Sequence, residues 1–354
     1  MPRFVLALLV LLWHALPVSG LADPALLATD FGPVAVFVFF VLSGTIITEA
    51  ALAYYAGRPL AFLGNRLLRL WPGYLVALAA MAAILGLAAG DEPGELAPDN
   101  LAANALALFP TVVVTDPLLG LAKRSELLPI VWALRVEFTF YLIVAVVLLA
   151  GRFGAGLRWL PPLCGLALVG NLAFYHLDAG GPRATFYFGM APYFVLGTAW
   201  ALRGSGRLEA GALDWLLPPA VLLSAAHAYS FDAFDATASA WERATGIQPA
   251  VAALLFLALA GWCAWRLGRT SGLPAGGAPA VRDRLLGNVT YELYLVHLPV
   301  IALVQALWPA PHWSSLPLVL ALSLAAAALL AGLLGAALRP LRRRLRGAAL
   351  PGSG

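Results

Sequence analysis

Charge is what this chain most lacks: Asp, Glu, Lys and Arg together make up 11% of its 354 residues, and Lys123 is its only lysine. Hydrophobic residues make up 62%, and the mean hydropathy is +0.86. A soluble fold of this composition would leave far more apolar surface in water than water tolerates, so the solvent it fits is a bilayer. Only two cysteines occur, Cys164 and Cys263, both inside apolar stretches. They offer neither a disulfide framework nor a metal-ligand spacing, and no metal is expected. Internal repeats, low-complexity tracts and domain linkers are absent, which excludes solenoids and leaves one membrane domain over 1–346 with a short tail at 347–354. The net charge of +4 comes without a soluble face to carry a basic groove, so nucleic acid is not an expected partner.

Long apolar runs, in contrast, are plentiful. Ten read as helical spans of a roughly 30 Å hydrocarbon core: Phe4–Ser19, Phe31–Tyr55, Leu68–Ala89, Leu128–Ala150, Leu157–Tyr175, Ala184–Leu202, Leu213–Tyr229, Ile247–Trp265, Leu285–Trp308 and Leu316–Leu338. No strand-like alternation accompanies them, so the fold class is all-α. Arginines alternate with the spans as the positive-inside rule requires. With the N-terminus inside, the inner segments hold Arg3, Arg58, Arg66, Arg69, Arg152, Arg158, Arg203, Arg207, four arginines from Arg266 to Arg284 and five from Arg339 to Arg346. The outer connections hold only Lys123, Arg124, Arg183 and Arg243, and gather acids from Asp23 to Glu242. Both termini are therefore expected in the cytoplasm. Trp13 and His14 interrupt the first apolar stretch, which argues for a retained helix over a cleaved signal. The stretch Leu101–Val114 is too short to span and reads as a re-entrant or interfacial cap. The run Arg339–Arg346 reads as a topology anchor at the inner face.

Ionisable side chains in hydrocarbon cost roughly 2.5 to 3.5 kcal/mol each, so those present mark candidate function. His14 lies eleven residues past Arg3, about 16 Å deep at 1.5 Å per residue. His297 and Glu137 come out at matching depth on other helices. If those helices are neighbours, the three share a buried pocket, with an imidazole as base and a carboxylate to orient it or stabilise its cation. Arg66 and Arg69, three residues apart, share a helix face and make a fork for phosphate. Tyr141 lies on the face of Glu137, with Trp132 five residues before it, and Tyr291 and Tyr294 flank His297. A proton-coupled transporter or flippase would use the same residue types, whereas a scaffold leaves them unexplained.

Taken together these segments resemble the acyltransferase-3 family. Arg3 and His14 are similar to its paired arginine and histidine. FGPVAVFVFFVLSG, Phe31 to Gly44, resembles its glycine-led helix ending in F-F-x-x-S-G. Arg66 and Arg69 with Trp71-Pro72 match its R-x-x-R and aromatic-proline. VWALRVEFTFY and GNVTYELYLVHLPV, ending at Tyr141 and Val300, resemble its W-x-L-x-x-E-x-x-x-Y and S-Y-x-x-Y-L-x-H-x-P segments. Thr290 stands where the family commonly has serine, and Glu292 adds an acid. The resemblance implies transfer of an acyl group, commonly acetyl, from cytosolic acyl-CoA to a hydroxyl of a glycan or related envelope acceptor. It assigns Arg66, Arg69 and Arg3 to the coenzyme phosphates, Ser43 and Gly44 to the pantetheine arm, His14 to the base and Glu137 to its support. Trp132, Tyr141, Tyr291, Tyr294 and His297 become supporting residues, and enzymes of envelope-glycan assembly become expected partners. The Ala-, Leu- and Arg-rich composition fits a bacterial chain from a GC-rich genome, and so a cytoplasmic (inner) membrane.

A reporter that fluoresces only in the cytoplasm, fused after Gly354, is expected to be bright; a dark fusion that nonetheless reaches the membrane would break the assignment of sides.

Overall fold

The structure is a computed structural model that describes residues 2–27, 29–88, 95–109, 112–113, 116–117, 125–151, 159–179, 182–205, 214–231, 247–270 and 278–347. Its elements in chain order are α1 (Pro2–Ser19), α2 (Pro24–Leu27), α3 (Phe31–Tyr54), α4 (Pro59–Ala88) and α5 (Pro98–Ala105). A two-residue ladder follows, β1 (Val112–Val113) with β2 (Asp116–Pro117). Then come α6 (Val131–Gly151), α7 (Leu160–Asn171) with a π turn at Leu172–His176, α8 (Pro182–Ser205), α9 (Leu217–Ser230), α10 (Ile247–Thr270), α11 (Ala278–Leu307) and α12 (Ser315–Arg346). The fold is helical, as expected. Several charges used to assign sides, among them Lys123, Arg124, Arg152, Arg158, Arg207 and Arg243, lie outside the described residues, as does the tail beyond Gly347.

Among the described residues seven helices are long and apolar enough to cross a membrane: α1, α3, α4, α6, α10, α11 and α12. The protein is a multi-pass membrane protein. The other three expected spans form α7, α8 and α9. At 14 residues α9 measures about 21 Å, short of a full crossing. Leu166, Val169, Leu222, Leu254 and Leu329 are exposed, the outward apolar surface that lipid covers.

Apolar on every side, α3 is buried along nearly its whole length. Its closest partner is α8. A Cβ on Gly44 would stand 2.5 Å from the Phe194 carbonyl oxygen, and a Cβ on Gly197 would overlap the Val41 carbonyl oxygen. Only glycine lets these two backbones meet, in the small-residue packing that membranes favour. Thr45 donates to the Gly197 carbonyl at 3.2 Å and Thr48 to Thr198 at 3.2 Å, so hydroxyls join the same seam.

The segment from Pro98 to Phe109, the described part of the connection expected to form a re-entrant or interfacial cap over Leu101–Val114, packs into the bundle. Ala107 and Leu108 are fully buried. The carbonyls at the C-terminal end of α5 and in the turn after it, left without helical partners, need donors from their neighbours. Trp71 Nε1 donates to the Ala105 carbonyl at 3.0 Å, Tyr74 to Asn104 at 2.6 Å and Arg135 Nε to Ala107 at 2.8 Å. Arg135 also pairs with Glu126 at 3.1 Å. Trp71 lies near the middle of α4, so the segment reaches that depth.

Three helices run past the expected boundaries, and this moves charges inward. The helix α4 begins at Pro59 rather than Leu68, which brings Arg66 into it beside Arg69; α11 begins at Ala278; α12 continues through Pro340 to Arg346.

Replacing Gly197 by Ala is expected to lower the thermal stability of the detergent-purified protein by about 1–3 kcal/mol through overpacking. Gly261→Ala, whose Cβ meets nothing within 4 Å, serves as the silent control in the same melting experiment.

Candidate active site

Packing of α1 against α11 brings two imidazoles together. His297 Nε2 lies 3.3 Å from His14 Nδ1, with ring centroids 5.0 Å apart. Their tautomers follow from the carbonyls around them. His14 Nδ1 faces the Val10 carbonyl at 2.9 Å and His297 Nδ1 faces the Leu293 carbonyl at 3.3 Å. A carbonyl only accepts, so both Nδ1 atoms carry hydrogen. His297 Nε2 then accepts from His14, and His14 Nε2 keeps its lone pair uncommitted.

Glu137 forms a second cluster. Its Oε1 accepts from Ser43 at 2.7 Å and from Tyr141 at 2.6 Å. Short O–H bonds to a carboxylate are among the stronger hydrogen bonds, and these tie α3 to α6. The expectation that Glu137 orients His14 is corrected here: the imidazole takes its support from Val10 and His297, and Glu137 spends its contacts on two hydroxyls.

Between α1, α3, α4, α6 and α11 lies a cavity of ≈ 90 Å³ whose wall includes Arg3, Phe40, Ser43, Arg69, Glu137, Tyr141, Tyr291 and Tyr294. Neither imidazole lines it. Tyr294 belongs to both settings, since it lines the cavity while its ring stands 5.9 Å from that of His297. The two tyrosine hydroxyls are anchors: Tyr291 donates to the Leu70 carbonyl at 2.7 Å and Tyr294 to the Ile130 carbonyl at 2.9 Å. They clamp α11 to α4 and to the entry of α6.

Arg3 and Arg69 also line a second, larger cavity of ≈ 540 Å³, shared with Glu292, Arg339 and Arg342. Arg69 continues into a third, of ≈ 340 Å³, with Arg66. Arg66 is 6% exposed; its guanidinium stands 5.4 Å from the Phe62 ring and 5.9 Å from that of Tyr141, and its Nε has no hydrogen-bond partner. The expected R-x-x-R fork therefore lines cavity space, with Arg69 common to all three cavities.

Two expected residues lie elsewhere. Gly44 is taken up by the crossing with α8 rather than by the cavity, so its smallness serves helix packing. Trp132 stacks edge-on between Phe40 and Phe186, at 6.0 and 6.1 Å, supporting the cavity wall from outside. The sequence reading missed the α12 arginines. Their spacing, 339, 342, 343 and 346, is that of one helix face, and that was the available signal. Among the described residues no group of three His, Cys, Asp or Glu is gathered for a metal.

A multi-pass helical protein with an imidazole pair packed between helices and a cavity lined by Glu137, Arg3 and Arg69 has the outline of a membrane transferase. Residues 3–336 match the acyltransferase domain of the acyltransferase-3 family, so the chain belongs to that family and is an acyltransferase. Comparison with curated proteins and with solved structures gives no match.

Proposed function

We propose that the protein moves an acyl group, acetyl in the simplest case, from cytosolic acyl-CoA to a hydroxyl of a glycan or related envelope acceptor. The observation that carries this reading is the His14–His297 pair, held by Val10 and Leu293 and joined through Tyr294 to the cavity that Arg3 and Arg69 line.

In this reading the donor enters from the arginine side. Arg3 and Arg69 take phosphate oxygens and the thioester lies by Ser43 and Glu137. His14 Nε2 accepts the proton of the acceptor hydroxyl as its oxygen attacks the thioester carbonyl. His14 Nδ1–H, pointed at Val10 and His297, shares the resulting positive charge. Collapse of the tetrahedral oxyanion breaks the C–S bond, and the departing thiolate takes the proton from His14, leaving ester and free thiol. Glu137, anchored by Ser43 and Tyr141, is a fixed negative wall opposite Arg3 and Arg69.

The arginine end then faces the cytoplasm, with both termini inside and the bacterial inner membrane as the address. Envelope-glycan enzymes are the partners this chemistry calls for.

Membrane vesicles carrying the wild-type chain are expected to transfer labelled acetyl from acetyl-CoA to endogenous glycan. His14→Ala should lower the rate by about 10²-fold or more while inserting normally, and His297→Gln by less, since it acts through His14. Full transfer by His14→Ala would remove the histidine from the mechanism.

A further inference from the structure

A stop-transfer run of arginines in water would splay, each side chain solvated separately. The end of α12 is instead fastened to the protein. Arg58 donates to the carbonyls of Leu345 at 3.1 Å and Arg346 at 3.3 Å. Asn65 donates to the Arg342 carbonyl at 3.1 Å, and its Oδ1 accepts from Arg342 Nε at 3.3 Å. The Arg346 guanidinium covers the Tyr54 ring at 3.7 Å, a cation–π contact. So held, one face of α12 closes the ≈ 340 Å³ cavity.

Six guanidinium groups line that cavity: Arg66, Arg69, Arg339, Arg342, Arg343 and Arg346. No carboxylate is among its described lining residues. Like charges gathered around one space repel, and the buried Nε of Arg66 points to no acceptor. A polar donor left unmade in the interior is expensive. An anion with several acceptor oxygens removes both problems, and phosphate matches the planar guanidinium fork. The neighbouring ≈ 540 Å³ cavity differs, because Glu292 enters its wall.

We propose that α12 builds a phosphate subsite here, and that its ligand is the phosphorylated nucleotide end of the acyl donor. The inference rests on the reading of the donor as acyl-CoA. Position favours it: Ser43 at the reaction cavity and Tyr54 at this one are eleven residues apart on α3, roughly 16 Å along the axis, a span suited to an extended pantetheine arm. Arg69 lines both cavities, so a guanidinium borders each of them. The other source of phosphate at such a rim is the headgroup of an anionic lipid, and the test separates the two.

The full-length protein, in nanodiscs of zwitterionic lipid, is titrated by calorimetry with CoA and with pantetheine, which has no phosphate. Acetyl transfer is followed separately. The wild type is expected to prefer CoA strongly. Arg342→Ala/Arg346→Ala should weaken CoA by about tenfold or more, equivalent to at least one charge-assisted hydrogen bond, raise KM for acetyl-CoA in step and leave kcat and pantetheine binding unchanged. Arg342→Lys/Arg346→Lys, which keeps the charge without the fork, should fall between. Unchanged CoA affinity in the alanine variant overturns the subsite. Equal weakening of CoA and pantetheine overturns it too, by assigning the arginines to structure alone. CoA competing poorly with added anionic lipid, with the variant losing only lipid binding, assigns the cavity to headgroups and overturns the donor subsite. Tight, arginine-dependent CoA binding without transfer would sink the acyl-CoA reaction and leave the subsite standing.

Discussion

Hydrocarbon cannot solvate a charge, and that constraint decides where nearly every ionisable side chain of this protein sits. Polar groups turn inward, where they must find partners or space. They have done so in two different ways. Around the segment from Pro98 to Phe109, Asn100, Asn104, Arg135, Glu126, Trp71 and Tyr74 bond to one another and to backbone carbonyls. A fully bonded network of this kind rigidifies a fold. At the arginine end the network is incomplete: Arg66 Nε and Glu292 Oε2 are buried charged-group atoms with no hydrogen-bond partner. A scaffold gains nothing from such vacancies, whereas a binding site needs them.

Much of the site was readable before the fold was. Depth along each helix put His14, Glu137 and His297 at one level, because a helix converts residue number into distance at a fixed rate. What depth does not specify is neighbourhood. Packing of α1 against α11, and of α3 against α6, sorted the three into an imidazole pair and a separate carboxylate cluster. Gly44 shows the same limit. Next to Ser43 in a motif, it read as room for a ligand, yet its missing side chain is matched to Gly197, 153 positions later on α8. No local pattern records that match. The α12 arginines were missed for another reason: the positive-inside rule accounts for arginines at a helix end so readily that their spacing on one face went unused. Where a helix stops was also hard to see, since Pro59 starts α4 well before its apolar run and α12 continues through Pro340.

The separation of histidines from carboxylate bears on how protons move. A nitrogen-to-nitrogen bond needs one lone pair, so His14 and His297 cannot both be imidazolium while bonded as they are. On the helices that carry them, α1 and α11, Leu11, Val300, Ile301 and Val304 belong to one apolar cluster. Glu137 is engaged by Ser43 and Tyr141 and shares its cavity wall with Arg3 and Arg69. An imidazolium formed at His14 is therefore steadied by hydrogen bonds to the Val10 carbonyl and the His297 ring, neither of which carries a negative charge to neutralise it. Low dielectric makes such a cation costly to hold. In the proposed reaction the proton has a ready destination in the departing thiolate, so His14 works best as a brief carrier between acceptor oxygen and leaving sulfur, and the apolar setting that makes the cation unstable drives the proton onward.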